Sequence, residues 1–211
     1  MTALALLRFK RLLPAVGLVP AALAAQSPGR DSVVYEFVPP PLTRLEVHTK
    51  KAGLLSFAAH EHVIAARAFT GSLVVYPGRP AASHVAVTIP TDSLAVLTPP
   101  DTAEIRKVTE AMRHDVLDVK TYPEIALSSR TVAWAGDTVR MDAALTIKGQ
   151  TRVIPLLVHV VIDGDTMRAN STFSIKQTDF GVRPYRGGPA GTVRVADAVT
   201  FTIVAVAVRR S

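Results

Sequence analysis

From about Asp31 onward the chain is a succession of short β-type runs separated by turn residues. Thr43 to Thr49 alternates, with Leu45 and Val47 on one face and Arg44, Glu46 and His48 on the other. Gly53 to Ile64 forms the next run, and Phe69 to Tyr76 another, closed by Pro77-Gly78-Arg79-Pro80. Val85, Val87 and Ile89 alternate with Ala86 and Thr88. Further runs cover 125–129, 139–147, 153–162, 167–175 and 193–208. Gly136-Asp137 and Asp163-Gly164-Asp165 are hairpin turns between flanking strands. No strand-helix-strand alternation appears, so the cadence predicts an all-β barrel or sandwich.

One segment departs from this rhythm. After Pro99-Pro100, Asp101 can cap a helix with Glu104 as its partner three residues on. Ile105, Val108, Met112 and Val116 then recur on one face, which predicts a helix over about 102–118 packed on the sheet or plugging a barrel end. Two strands, Val153 to Ile162 and Val199 to Val208, are apolar on both faces. Such a strand is covered on its outside, or its inner face borders an apolar cavity. A lipid-sized pocket and a well-filled core both satisfy the pattern.

The first residues read as an export signal. Arg8, Lys10 and Arg11 precede an apolar stretch from Leu12 to Leu23, and Ala22-Leu23-Ala24 supplies the small-x-small pattern for cleavage after Ala24 or Ala25. Pro14, Gly17 and Pro20 interrupt the stretch, which is shorter than the roughly 20 residues of a membrane span. The expected organisation is a signal peptide over 1–25, a short tether over 26–33 and one domain over 34–211. Such a segment also carries part of the formal charge of +7. Without its three basic residues, 21 of the 24 Lys and Arg remain against 17 Asp and Glu, a net +4. The remaining cations are scattered, with neither a phosphate-tracking stripe nor interleaved aromatics, so nucleic acid is not an expected partner. Cysteine is absent, which removes disulfides, thiolate metal sites and a cysteine nucleophile.

Few motifs carry chemistry. In Ala59-His60-Glu61-His62 a strand would place His60 and His62 on one face, about 7 Å apart. Two such imidazoles can share a zinc, but Glu61 points away, and His48, His84, His114 and His159 belong to no second ligand motif. The plainer role for the pair is hydrogen bonding to backbone or a polar patch. Asp179-Phe180-Gly181 spells a kinase tripeptide without the Gly-rich loop or catalytic loop that would give it meaning. Its expected role is structural, with Gly181 turning the chain at a strand end and Phe180 anchoring the turn. Neither G-x-S-x-G nor S-x-x-K occurs, and no cofactor motif was found.

Five segments together resemble the YceI-like family of lipocalin-like, polyisoprenoid-binding proteins. They are Gly53 to His62, Phe69-Thr70-Gly71, Val116 to Ile125 with its Tyr122-Pro123 turn, Ala144 to Gly149 followed by Thr151-Arg152, and Asp179-Phe180-Gly181. The first resembles the form carried by the family's Gly-His-Asp-His subgroup, although Ala59 and Glu61 stand where that subgroup has glycine and aspartate. The resemblance implies an eight-stranded antiparallel lipocalin-like barrel with one helix, an apolar interior holding a polyisoprenoid or fatty-acyl chain, and a periplasmic or secreted bacterial protein.

A non-catalytic carrier follows as the leading expectation, its ligand held by tail burial with a polar head at the barrel mouth. The candidate mouth residues are His60, His62 and Arg113. The candidate lining is Leu55, Phe57, Ala59 and Val63, the more apolar face of that strand, opposite Ser56, His60 and His62. A bulge at Ala58-Ala59 would exchange the two faces beyond it. A metal-dependent enzyme using His60 and His62, and an envelope protein with a filled barrel, are the alternatives.

Overall fold

The computed structural model describes residues 31–52, 61–98, 102–187 and 193–210. Its body is a closed, eight-stranded antiparallel barrel with one short helix, as expected. Five strands run unbroken: β8 (Glu124–Ala135), β9 (Thr138–Ile147), β10 (Gln150–Asp163), β11 (Thr166–Lys176) and β14 (Ala198–Arg209). The other three positions in the ring are each filled by a strand in two pieces. They are β1 (Val33–Phe37) with β2 (Arg44–His48), β4 (Val63–Ala66) with β5 (Thr70–Val75), and β6 (His84–Pro90) with β7 (Leu94–Val96). β1 and β2 lie end to end along the same edge of β14, and β5 and β4 follow them. β6 and β7 come next, and β6 alone reaches β8 to close the ring. A small outlying sheet joins β3 (Lys51–Ala52), β13 (Val193–Val195) and β12 (Arg186–Gly187).

The unbroken side follows directly from alternation. On β9, Val139, Met141, Ala143, Leu145 and Ile147 are all buried, while Arg140 and Asp142 face solvent. Its turn to β10 is Lys148-Gly149, both at positive φ (49° and 71°), the conformation that suits a two-residue hairpin. Phe173 on β11 and Phe201 on β14 are direct cross-strand partners and stack with centroids 4.9 Å apart. Such a pair contributes about 1 kcal/mol beyond its buried area.

Each break on the other side has a local cause. Pro39-Pro40-Pro41 supplies no amide hydrogens between β1 and β2, so the backbone cannot continue the ladder. The Thr43 side chain takes over: its hydroxyl donates to Val206 O and accepts from Val206 N–H, both at 3.1 Å. Between β6 and β7 a 3-10 turn, Thr91–Ser93, is held by the Thr91 hydroxyl on Tyr122 O at 2.9 Å and the Ser93 hydroxyl on Pro90 O at 2.7 Å.

Where β7 has no strand neighbour toward β8, the helix α1 (Thr102–Ala111) fills the gap and widens into one π turn over Met112–Val116. Ile105, Val108 and Met112 pack with Ala66, Leu94 and Val96, so the predicted stripe is core. The Asp101 cap lies outside the described residues.

Candidate functional site

The barrel encloses a cavity of about 280 Å³. On the same measure one water occupies about 10–15 Å³, so the void is large enough for an organic ligand. It extends from Trp134, Val160 and Met167 at one end, past Leu127 and Met141, to Ile147, Val199 and Phe180 at the other. There Met112, Val116 and Leu117 of the helical segment form part of the wall.

Most polar groups in this lining are already engaged. Thr43 binds the Val206 backbone, and the Ser83 hydroxyl accepts from Tyr76 N–H. Ser171 donates to Leu157 O at 2.8 Å, and Gln177 Nε2 donates to Ala196 O at 2.8 Å. The Thr49 hydroxyl accepts from His62 N–H at 3.1 Å, and Glu46 lies 3.7 Å from His48. Among the described lining residues, Trp134 Nε1 is the buried side-chain donor left without an acceptor. A cavity of this kind offers apolar contact and shape, with few fixed groups to demand a particular head.

The candidate site residues fall in different places. Leu55, Phe57, Ala59 and His60 lie outside the described residues. His62 is half-buried, and its Nδ1 meets Thr98 O at 2.8 Å. Val63 lies on the opposite face of β4 from Ile64 and Ala66, and these two line the cavity. Arg113 sits in the π turn and donates through Nη2 to Asp92 O at 2.7 Å, which pins the helix to the turn between β6 and β7. No group of three or more His, Cys, Asp or Glu placed to hold a metal occurs among the described residues.

Leu45 with Val47, and Val85 with Val87 and Ile89, share a strand face by alternation in the sequence, and all five line the cavity. Met112 of the helical stripe and Leu117 just beyond it also belong to the lining.

The Asp179-Phe180-Gly181 turn closes one corner of the cavity. Gly181 adopts φ 67°, in the left-handed region, and Phe180 is 1% exposed. The turn is clasped by Asp197, whose carboxylate accepts from Thr178 N–H at 2.9 Å and from the Thr178 hydroxyl at 2.7 Å. These bonds, the backbone one foremost, hold the Asp197 pKa below its usual 3.8.

A closed antiparallel barrel around an apolar cavity, with a helix across the gap in its wall, is a barrel of lipocalin-like type. Residues 47–207 match the YceI-like domain, and the chain belongs to that family. Among solved structures it is similar to Burkholderia cenocepacia BcnA, with TM-score 0.63 and 23% identity, covering 78% of this chain and 95% of that one. It is also similar to a polyisoprenoid binding domain from Saccharophagus degradans implicated in plant cell wall breakdown, with TM-score 0.60, 13% identity and coverage of 83% and 98%. The Campylobacter jejuni YCEI protein gives TM-score 0.52 at 17% identity, with coverage of 70% and 84%. At these identities the likeness is one of fold. No curated protein matches the chain.

Proposed function

We propose that this protein is a non-catalytic carrier that holds an apolar amphiphile, of polyisoprenoid or fatty-acyl type, inside its barrel. The observation that carries the reading is the apolar cavity, whose polar wall groups, Trp134 Nε1 apart, are bonded within the protein. Each methylene buried there contributes about 0.8 kcal/mol before ordering costs, so affinity grows with chain length. The cavity favours this reading over a filled barrel. The description of the Saccharophagus degradans domain as polyisoprenoid binding supports the choice of ligand class.

In this reading the tail lies along Leu127, Met141 and Phe173, and the head rests at the helix-covered end, where His62 and Arg113 stand. The protein acts in the periplasm or outside the cell, after removal of a signal over 1–25 ahead of a tether over 26–33. The basic n-region and the Ala22-Leu23-Ala24 site support that part of the proposal. Among the described residues no helix is long and apolar enough to cross a membrane. The Gly53 to His62 phrase supports kinship with the Gly-His-Asp-His subgroup.

Native mass spectrometry and lipid extraction of the purified protein test the proposal. A co-purifying or exchangeable chain lipid is the expected result. Repeated absence of any bound lipid, with no uptake of added polyisoprenoid or fatty acid, would overturn it.

A further inference from the structure

β10 and β11 form a hairpin, yet they pair only from Asp163↔Thr166 to His159↔Asn170. β10 extends on to Gln150 and β11 to Lys176 without further ladder pairs between them. Both remain paired on their other edges, β10 with β9 up to Gln150↔Ile147 and β11 with β14 up to Lys176↔Ala198. The barrel wall therefore has a seam. Its cause is chemical. Val160 N–H donates to Asp137 O on the β9 side, so by alternation Pro155 and Leu157 direct their backbone toward β11. Pro155 has no hydrogen to give, and Leu157 O takes the Ser171 hydroxyl instead of a strand amide.

A groove of about 490 Å³ occupies the seam. Val153, Ile154, Ile175, Phe180 and Ala198 form its apolar lining, and Arg152, Lys176 and Asp179 add its charged groups. Ile175 and Phe180 also line the internal cavity, so the same two side chains separate groove from interior. Outside, along β10, Val153 and Leu157 remain about half exposed (52% and 49%), an apolar approach to the seam.

We propose that this seam is the passage through which the ligand's apolar chain crosses the barrel wall, with Ile175 and Phe180 moving aside to admit it. The proposal rests on the carrier reading. No ladder bond between β10 and β11 need break along this stretch, whereas a crossing elsewhere in the paired wall must open one.

The chain has no cysteine, so a pair introduced across the seam reacts alone. Extending the register of the paired stretch sets Val153 opposite Lys176, both exposed. A V153C/K176C protein, folded first and then joined by a short bis-maleimide, is compared with the same protein left unlinked. The probe is cis-parinaric acid, a polyene fatty acid whose fluorescence rises in apolar surroundings. Linking is expected to slow both uptake and release by about tenfold, or about 1.4 kcal/mol of barrier, while the amount bound at equilibrium stays the same. Ser174→Trp, which covers the groove without a cross-link, is expected to slow both rates in the same sense. Linked and unlinked proteins exchanging probe at equal rates would overturn the passage and leave the carrier reading standing. A wild-type protein that takes up no probe would remove both.

Discussion

The two sides of the barrel reach the same ring by different means. On the unbroken side, β8, β9, β10, β11 and β14 are long and continuous and their inward residues are mostly aliphatic, with the Ser171 hydroxyl on Leu157 O spanning the β10–β11 seam. On the other, three strands are each in two pieces, and Thr43, Thr91 and Ser93 replace missing ladder bonds. The difference teaches where rigidity and adaptability reside. Burial of aliphatic side chains fixes the first side, whereas a handful of specific polar contacts and one short helix fix the second.

The largest expected effect lies on the unbroken side. Leu145 is 2% exposed, so Leu145→Ala is expected to cost about 3 kcal/mol in urea unfolding. Leu45→Ala, at a half-buried site on β2, is expected to cost about 1 kcal/mol. An equal or reversed cost would break the comparison, since the divided strands would then carry as much of the core as the continuous ones.

Thr43→Val probes the other mode of support. The substitution keeps the shape but leaves the buried Val206 N–H without its acceptor, at an expected cost of about 2 kcal/mol. Val206 O still receives Val38 N–H at 2.8 Å, which limits the loss to one group. Hydrogen exchange at the Val206 amide should accelerate more than at amides of β9, and a uniform change across the barrel would show that the clip is not local.

How much of this was legible in the sequence follows the same division. Alternation on β9 and β11 is strict, and the Leu-Thr-x-x-Gly hairpin at Ala144 to Gly149 carries its own turn chemistry, so these strands read directly. β10 is apolar outside as well as inside, and the structure leaves Val153, Leu157 and Val161 exposed, so the excess did not signify a covering layer. On the divided side the pattern is too short to fix a face. β4 has only four residues, so the strand phase could not be set from the sequence, and Ile64 rather than Val63 faces the cavity. Arg113 is a candidate for the barrel mouth by sequence. Its partner is a backbone carbonyl 21 residues away in sequence, which no pattern of residue types reveals.

Arg113→Ala therefore sharpens the comparison at the helix. Loss of the bond to Asp92 O is expected to cost about 1 kcal/mol and to speed amide exchange in α1. Fatty-acid affinity measured alongside separates anchoring from head binding. A large loss of affinity with unchanged exchange in α1 would give Arg113 to the ligand instead.

The smallest effect is expected where the unbroken side meets solvent. Asp197 is bonded by Thr178 N–H and hydroxyl, which favour the carboxylate and depress its pKa below 3.8. The folded state therefore binds the proton less readily than the unfolded chain does. Stability from this clasp is fully present above the unfolded value near 3.8 and declines as pH falls through the lower folded value. Asp197→Asn should be slightly less stable than wild type at neutral pH, and the two unfolding curves should converge in acid. Because the carboxylate is exposed, solvent screens the clasp and the gap should be small. A gap that persists undiminished at the acid end would mean that Asp197 supports the β11–β14 corner through packing rather than charge. That outcome would place this corner with the divided side, as a junction set by local contacts.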